Sequence, residues 1–217
     1  MTTMPTVNSH TSDTSADTSV LFVVAHPQRE SLTWAVAEAV RRAVCNGARA
    51  ECEVIDLVAD QFDPVFRSTD MALYASGGAA TAADIRAAQT AVERAQTVVF
   101  VFPVYWWAMP AVLKGWVDRV FTRDWAYSVD AGGTITGLLT SKRIRIVGLA
   151  GGGADMYRKH AYDTSLTTQL SHGIFEFCGA ADIELHLLHD SEDVERATRT
   201  IDQAAAIGRR IAATSTG

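Results

Sequence analysis

Cysteine is scarce in this chain, and positive charge is in the minority. Only Cys45, Cys52 and Cys178 occur among 217 residues, with no CxxC pair, so their spacing indicates neither a disulfide framework nor a zinc site. That usage suggests a reducing cytoplasm, and no other metal-ligand cluster is evident. Lys and Arg number 19 against 25 Asp and Glu, a net charge of −6. The basic face needed for nonspecific binding to nucleic acid or an anionic membrane surface is therefore missing, and a small-molecule partner is expected. No apolar run reaches the roughly 20 residues of a membrane span. The most apolar stretch, Val98 to Leu113, is interrupted by Pro103 and Pro110. Residues 1–19 are rich in Ser, Thr and Asp, resemble no secretory signal and read as a disordered tail. Neither GxGxxG nor GxxxxGK(S/T) occurs, which disfavours a dinucleotide-binding Rossmann domain and a P-loop NTPase.

What is present is enough apolar sequence for one core. With 48% hydrophobic and 20% charged residues, 20–217 fits a single domain. Short β-branched runs alternate with segments of helical period, the pattern of a parallel sheet covered by helices on both faces. Strands are expected at Val20 to Ala25, Ala50 to Leu57, Thr97 to Pro103, Lys142 to Ala150 and Ala181 to Leu188. Helices are expected at about Leu32 to Cys45, Ala82 to Ala95, Pro110 to Thr122, Ser165 to Cys178 and Asp193 to Ala213. Gly47 and Gly179 fall where a left-handed helix stop is wanted.

In an open sheet of this kind ligands bind beyond the carboxyl ends of the strands, so the strand exits are the candidate site. After strand one comes His26-Pro-Gln-Arg-Glu-Ser31-Leu32-Thr33, opening a helix whose free N–H groups favour a phosphate, with His26, Arg29, Ser31 and Thr33 as further donors. Ser31 also reads as a plain N-cap, and His26 as a structural histidine. After strand three, Tyr105, Trp106 and Trp107 stand between Pro103 and Pro110, a stiff aromatic loop suited to a planar ring or, equally, a cap on the core. After strand four, Gly151-Gly152-Gly153 lets backbone approach a ligand closely.

These exits, with Phe62-Asp63-Pro64, the block from Phe102 to Phe121, and Trp125-Ala126-Tyr127, resemble the NAD(P)H:quinone oxidoreductase family of the flavodoxin-like superfamily. That family includes drug-activity modulators and flavoprotein subunits that regulate potassium efflux. The resemblance implies an α/β three-layer sandwich with a five-stranded parallel sheet of order 2-1-3-4-5, a bound FAD with FMN as the alternative, and NAD(P)H as electron donor. It places His26, Ser31, Leu32 and Thr33 on the flavin phosphates, and Pro103, Val104, Tyr105 and Trp106 along the isoalloxazine. Leu149, Ala150, Gly151 and Gly152 fall at its pyrimidine edge, although many relatives carry two threonines where this chain has Leu149 and Ala150. Tyr157 and, by a looser match in spacing, His160 are the implied proton donors; Trp107, His160 and Tyr127 face the substrate, Tyr127 from the neighbouring subunit of a homodimer.

The implied reaction is ping-pong hydride transfer through the flavin to a quinone-like acceptor in the cytoplasm. An electron-carrier flavodoxin and a redox-sensing subunit of a transporter are the alternatives. The first is a poor match, because such carriers have hydroxyl- and glycine-rich phosphate loops.

Overall fold

The computed structural model describes residues 18–47, 50–80 and 82–214. Most of the tail expected at 1–19 lies outside these residues, but Thr18 and Ser19 open the first strand rather than belonging to that tail. Five strands, β1 (Thr18–Val24), β2 (Ala50–Asp56), β3 (Thr97–Pro103), β6 (Arg143–Leu149) and β7 (Asp182–Leu188), form one parallel sheet of order β2-β1-β3-β6-β7. This is the expected order, once a separate hairpin of β4 (Tyr127–Val129) and β5 (Ile135–Gly137) is counted in chain order. The central β3 is a continuous apolar run because both of its faces are covered, whereas the edge strand β2 is mostly half-exposed.

Helices cover both faces. On one side α1 (Leu32–Gly47) packs against α7 (Ala197–Thr214), with Val36, Val40 and Val44 of α1 and Ala204, Ile207 and Ile211 of α7 over Phe22, Val99 and Val147. On the other lie α3 (Ala83–Arg94), α4 (Ala111–Val120) and a stretch that starts as α6 (Tyr162–Leu166) and continues as a π-helix over Thr167–Glu176. There Phe100 contacts Trp116 and Phe175, at ring-centroid separations of 5.9 and 5.0 Å.

Several local expectations change. Pro110 is the N-cap of α4 and not its first turn, Gly47 is the last residue of α1, and Gly179 is left-handed at φ +97°, as anticipated. Two further helices, α2 (Ser68–Ser76) and α5 (Ala154–Lys159), were not foreseen. Cys45 and Cys52 are bonded to each other, with Cα atoms 6.8 Å apart, so α1 and β2 share a bridge that their spacing did not indicate. No described helix is long and apolar enough to cross a membrane.

The Phe62-Asp63-Pro64 segment acquires a packing role. It crosses α4 at Gly115, where any Cβ would overlap the Pro64 backbone. Arg119, one turn on and buried, donates to the Asp63 carbonyl at 2.7 Å and pairs with Asp70 and Asp84, each at 3.3 Å.

Candidate active site

The reversal of strand order falls between β1 and β3, so the exits of β1, β3 and β6 share one edge at the switch point. At the first exit Ser31 caps α1, its Oγ accepting the Trp34 N–H at 3.4 Å, which makes the plain N-cap role real. Among the described residues the Leu32 and Thr33 N–H groups find no protein acceptor, and they stand at the positive end of a 16-residue helix. His26 keeps Nδ1 on the Gln28 backbone, 3.0 Å from its N and 3.1 Å from its O, so Nε2 is the ring nitrogen left for a ligand. Arg29 does not join them. Its guanidinium is 2.7 Å from the buried Asp56 carboxylate and lies 3.9 Å over the Trp34 ring, so its charge is already matched.

At the second exit the aromatic loop is a tight turn. Tyr105 and Ala108 exchange backbone hydrogen bonds of 3.1 and 3.0 Å, and the two residues between them, Trp106 (φ +49°) and Trp107 (φ +55°), are both left-handed, as a type I′ turn requires. Such turns favour Asn and Gly, so two tryptophans there are strained. Trp106 stands out with 87% of its surface exposed. Trp107 instead stacks on Tyr162, with centroids 4.2 Å apart. Pro103 and Val104 complete this exit, and the Val104 N–H donates to the Leu149 carbonyl at 2.8 Å, joining it to the third.

At the third exit Leu149 and Ala150 are buried, and their backbone is engaged internally: Ala150 donates to the Leu188 carbonyl at 2.9 Å and accepts from Ser191 at 3.0 Å. Free donors begin with the N–H groups of Gly151 and Gly152, which find no acceptor among the described residues. A side chain at Gly151 would meet the carboxylate end of Glu192, and one at Gly152 the methyl end of Met156, so either substitution would displace a flexible side chain that packs on the loop. Tyr157 follows on α5, only 3% exposed, and burial raises its pKa above the ordinary phenol value, keeping the hydroxyl protonated as a donor.

His160 ends α5 on the surface. Ala161, left-handed at φ +56°, then turns the chain so that Tyr162 comes back over the site. Tyr162 touches three candidates at once: it stacks on Trp107 and on His160 (5.4 Å) and meets Tyr157 edge-on at 5.9 Å. No periodicity in the sequence marks Tyr162, because its position depends on that one left-handed residue. His189 was also missed. It leaves β7 at the same edge, with its ring 5.0 Å from Tyr157, and applying the strand-exit rule to the fifth strand would have found it.

Tyr127 is not brought to this edge. It lines an apolar cavity of about 460 Å³ with Phe66, Met71, Tyr74, Phe121 and Phe177, beyond the far end of α4. Ten helical residues at about 1.5 Å each separate that end from the tryptophan turn. Its pKa is pushed up to about 12, chiefly by burial and then by a hydrogen bond with Tyr74.

An open parallel sheet with unsatisfied donors gathered at its switch point defines a ligand-binding α/β domain. The sequence profile of the flavodoxin-like fold family matches residues 18–211, and the chain belongs to that family. It is 32% identical over 180 residues to ribosyldihydronicotinamide dehydrogenase (quinone) of Rattus norvegicus, covering 74% of this chain and 76% of that one. An uncharacterised NAD(P)H oxidoreductase of Haemophilus influenzae is 33% identical over 107 residues, 49% of this chain. That match spans about half (52%) of the curated relative's length. An NAD(P)H:quinone oxidoreductase structure from Methanothermobacter marburgensis superposes with a TM-score of 0.82 at 22% identity, covering 89% of this chain and 96% of that one, a likeness of fold.

Proposed function

We propose that the protein is an NAD(P)H-dependent flavoprotein oxidoreductase that reduces a quinone-like acceptor. The observation that carries this reading is the set of free donors on one sheet edge: Leu32 and Thr33 N–H with His26 Nε2 at one side, Gly151 and Gly152 N–H at the other. Their separation into an anion site and a second donor cluster fits a flavin, with its phosphate at α1 and its pyrimidine edge at the glycines. The strained tryptophan turn lies at the exit of β3, next to that of β6. Names of the similar proteins, quinone and NAD(P)H dehydrogenases, support the same class.

When bound, a flavin supplies hydride acceptance at N5 and holds negative charge near N1 and O2. The chain's part is to orient the rings and to meet that charge. Gly151 and Gly152 N–H groups and the protonated Tyr157 hydroxyl are the donors for it, an arrangement of the oxyanion-hole kind. Trp107, braced by Tyr162, and His160 border the space for nicotinamide and acceptor, which take turns in a ping-pong cycle. Tyr127 serves this site from a second copy of the chain, since in its own chain it lies beyond the other end of α4. FAD is the favoured flavin, FMN the alternative.

Denaturing the purified protein and chromatographing the released flavin tests class and cofactor together. Release of FAD or FMN, with turnover of NAD(P)H and a simple quinone, is the expected result. A colourless protein that neither takes up flavin nor turns over would overturn the reading, and flavin without turnover would point to an electron carrier or a redox sensor.

A further inference from the structure

The glycine loop has a partner that the proposed reaction does not yet use. His189 is half-buried at the β7 exit, and its Nδ1 lies 3.3 Å from the Gly152 carbonyl oxygen. A carbonyl can only accept, so Nδ1 carries the proton in this contact. The Asp190 N–H reaches the same oxygen, also at 3.3 Å. Asp190 is itself held left-handed, at φ +55°, with its carboxylate paired to Arg196. Two donors from one fixed strand exit therefore converge on a single carbonyl in a run of three glycines, where the backbone is otherwise freest to rotate.

The consequence follows from peptide geometry. In a trans peptide the C=O and N–H point in opposite directions, so drawing the Gly152 oxygen toward β7 turns the Gly153 N–H away from β7. That N–H finds no acceptor among the described residues, like those of Gly151 and Gly152 before it. The same imidazole meets Tyr157 edge-on, 5.0 Å between centroids at 73°, and so abuts the proposed proton donor.

We propose that His189 is a positioning residue, which locks the Gly152–Gly153 peptide so that the loop's N–H groups face the ligand and which braces Tyr157 beside them. This rests on the reading that the glycine loop meets a bound flavin. His189→Phe keeps a ring against Tyr157 and removes the donor. His189→Asn places an amide N–H near the position of Nδ1.

The test is titration of flavin-free protein with FMN and, separately, FAD, followed by flavin fluorescence, with melting temperatures in parallel. One neutral hydrogen bond lost predicts a Kd about 3- to 10-fold weaker for His189→Phe, at an unchanged melting temperature. His189→Asn should bind within about twofold of wild type. Wild-type binding by His189→Phe overturns the inference and leaves the flavin reading standing, and so does a His189→Asn variant as weak as His189→Phe. A wild-type protein that takes up neither flavin sinks both.

Discussion

Trp106 and Trp107 occupy backbone that bulky residues avoid, at a cost of about 1 to 3 kcal/mol each. Something must hold Trp107 there, and its face-to-face contact with Tyr162 is the available restraint. Such a ring pair contributes about 0.5–1.5 kcal/mol beyond burial, less than the strain, so the turn is held only in part by it. Tyr162→Ala should therefore loosen Trp107 without unfolding the protein: the near-ultraviolet circular dichroism of the tryptophans should fall, and KM for a bicyclic quinone should rise about 2- to 10-fold. Tyr162→Phe should restore both. An alanine variant with an unchanged aromatic spectrum would show that the turn holds itself. Tyr157 makes a different claim. Tyr157→Phe keeps the buried ring and deletes one donor beside a charge-bearing site, a loss of about 1.5 to 3 kcal/mol or roughly 10- to 150-fold in rate. Stopped-flow bleaching of the flavin at saturating NAD(P)H is the assay, so that a binding defect is not mistaken for a chemical one. A rate within about twofold of wild type would remove the hydroxyl from the reaction and leave the loop N–H groups. His160→Ala should matter less, because His160 reaches the site only as the outer member of the stack on Tyr162.

At the scale of elements, the buried guanidinium of Arg119 is the clearest fastening. It ties α4 to the Asp63 carbonyl, to Asp70 in the first turn of α2 and to Asp84 in the first turn of α3. Removing one member of a buried pair typically costs about 3 to 5 kcal/mol. Arg119→Ala should thus lower the melting temperature by roughly 6 to 20 °C for a domain of this size. Asp84→Asn should shift it far less, since Asp84 is half-exposed and screened. Equal shifts for the two would place the fastening elsewhere. This network also marks the limit of what the chain's pattern reveals. The five sheet strands were legible within a residue or two because β-branched runs such as Thr97–Pro103 have one periodicity and one use. α2 was not, because none of its residues is buried and it therefore carries no apolar stripe. The β4–β5 hairpin is only three residues a side, too short to alternate visibly. The candidate site could be read from the sequence where it follows strand exits, at His26, Trp107 and Gly151, which the fold brings to one edge of the sheet. It was hidden at Tyr162, where one left-handed residue, Ala161, does the placing, whereas His189 follows β7 and was open to the same strand-exit rule.

For the whole molecule, the apolar surface around Tyr127 and the charge balance make separate predictions. Phe66, Met71, Tyr74 and Phe177 are exposed beside Tyr127, and a homodimer that covers them would carry Tyr127 to its partner's site. Analytical ultracentrifugation should find a dimer that Met71→Asp weakens, and an active wild-type monomer would rule the shared site out. Stability against pH should fall on the acid side in two steps. His186 is held below its ordinary 6.5, chiefly by burial, with Glu184 opposing and Arg210 and Arg145 reinforcing the shift. The unfolded chain then binds this proton more readily, so His186 contributes stability that is present above about pH 6.5 and is lost as pH drops below it. Carboxylates act lower down. Glu38, hydrogen-bonded to Arg41 and Arg42, is depressed to about 2, and Asp63 and Asp130 are lowered by Arg67 and by the Thr134 backbone. The contribution of Glu38 is present above its unfolded value of about 4.5 and disappears as pH falls toward 2, and those of Asp63 and Asp130 are lost as pH falls below their unfolded value of about 3.8, all three reduced by exposure to solvent. On the alkaline side Cys178, raised to about 11, and Tyr127, raised to about 12, keep their protons when folded, so that stability is lost as pH climbs through those values. Lys142 acts the other way, its burial penalty easing as pH rises. Melting temperatures by circular dichroism at constant ionic strength should be flat from about pH 7 to 9 and drop first just below 6.5. In His186→Gln that first drop should vanish while the carboxylate step remains, and its persistence would assign the step to another histidine.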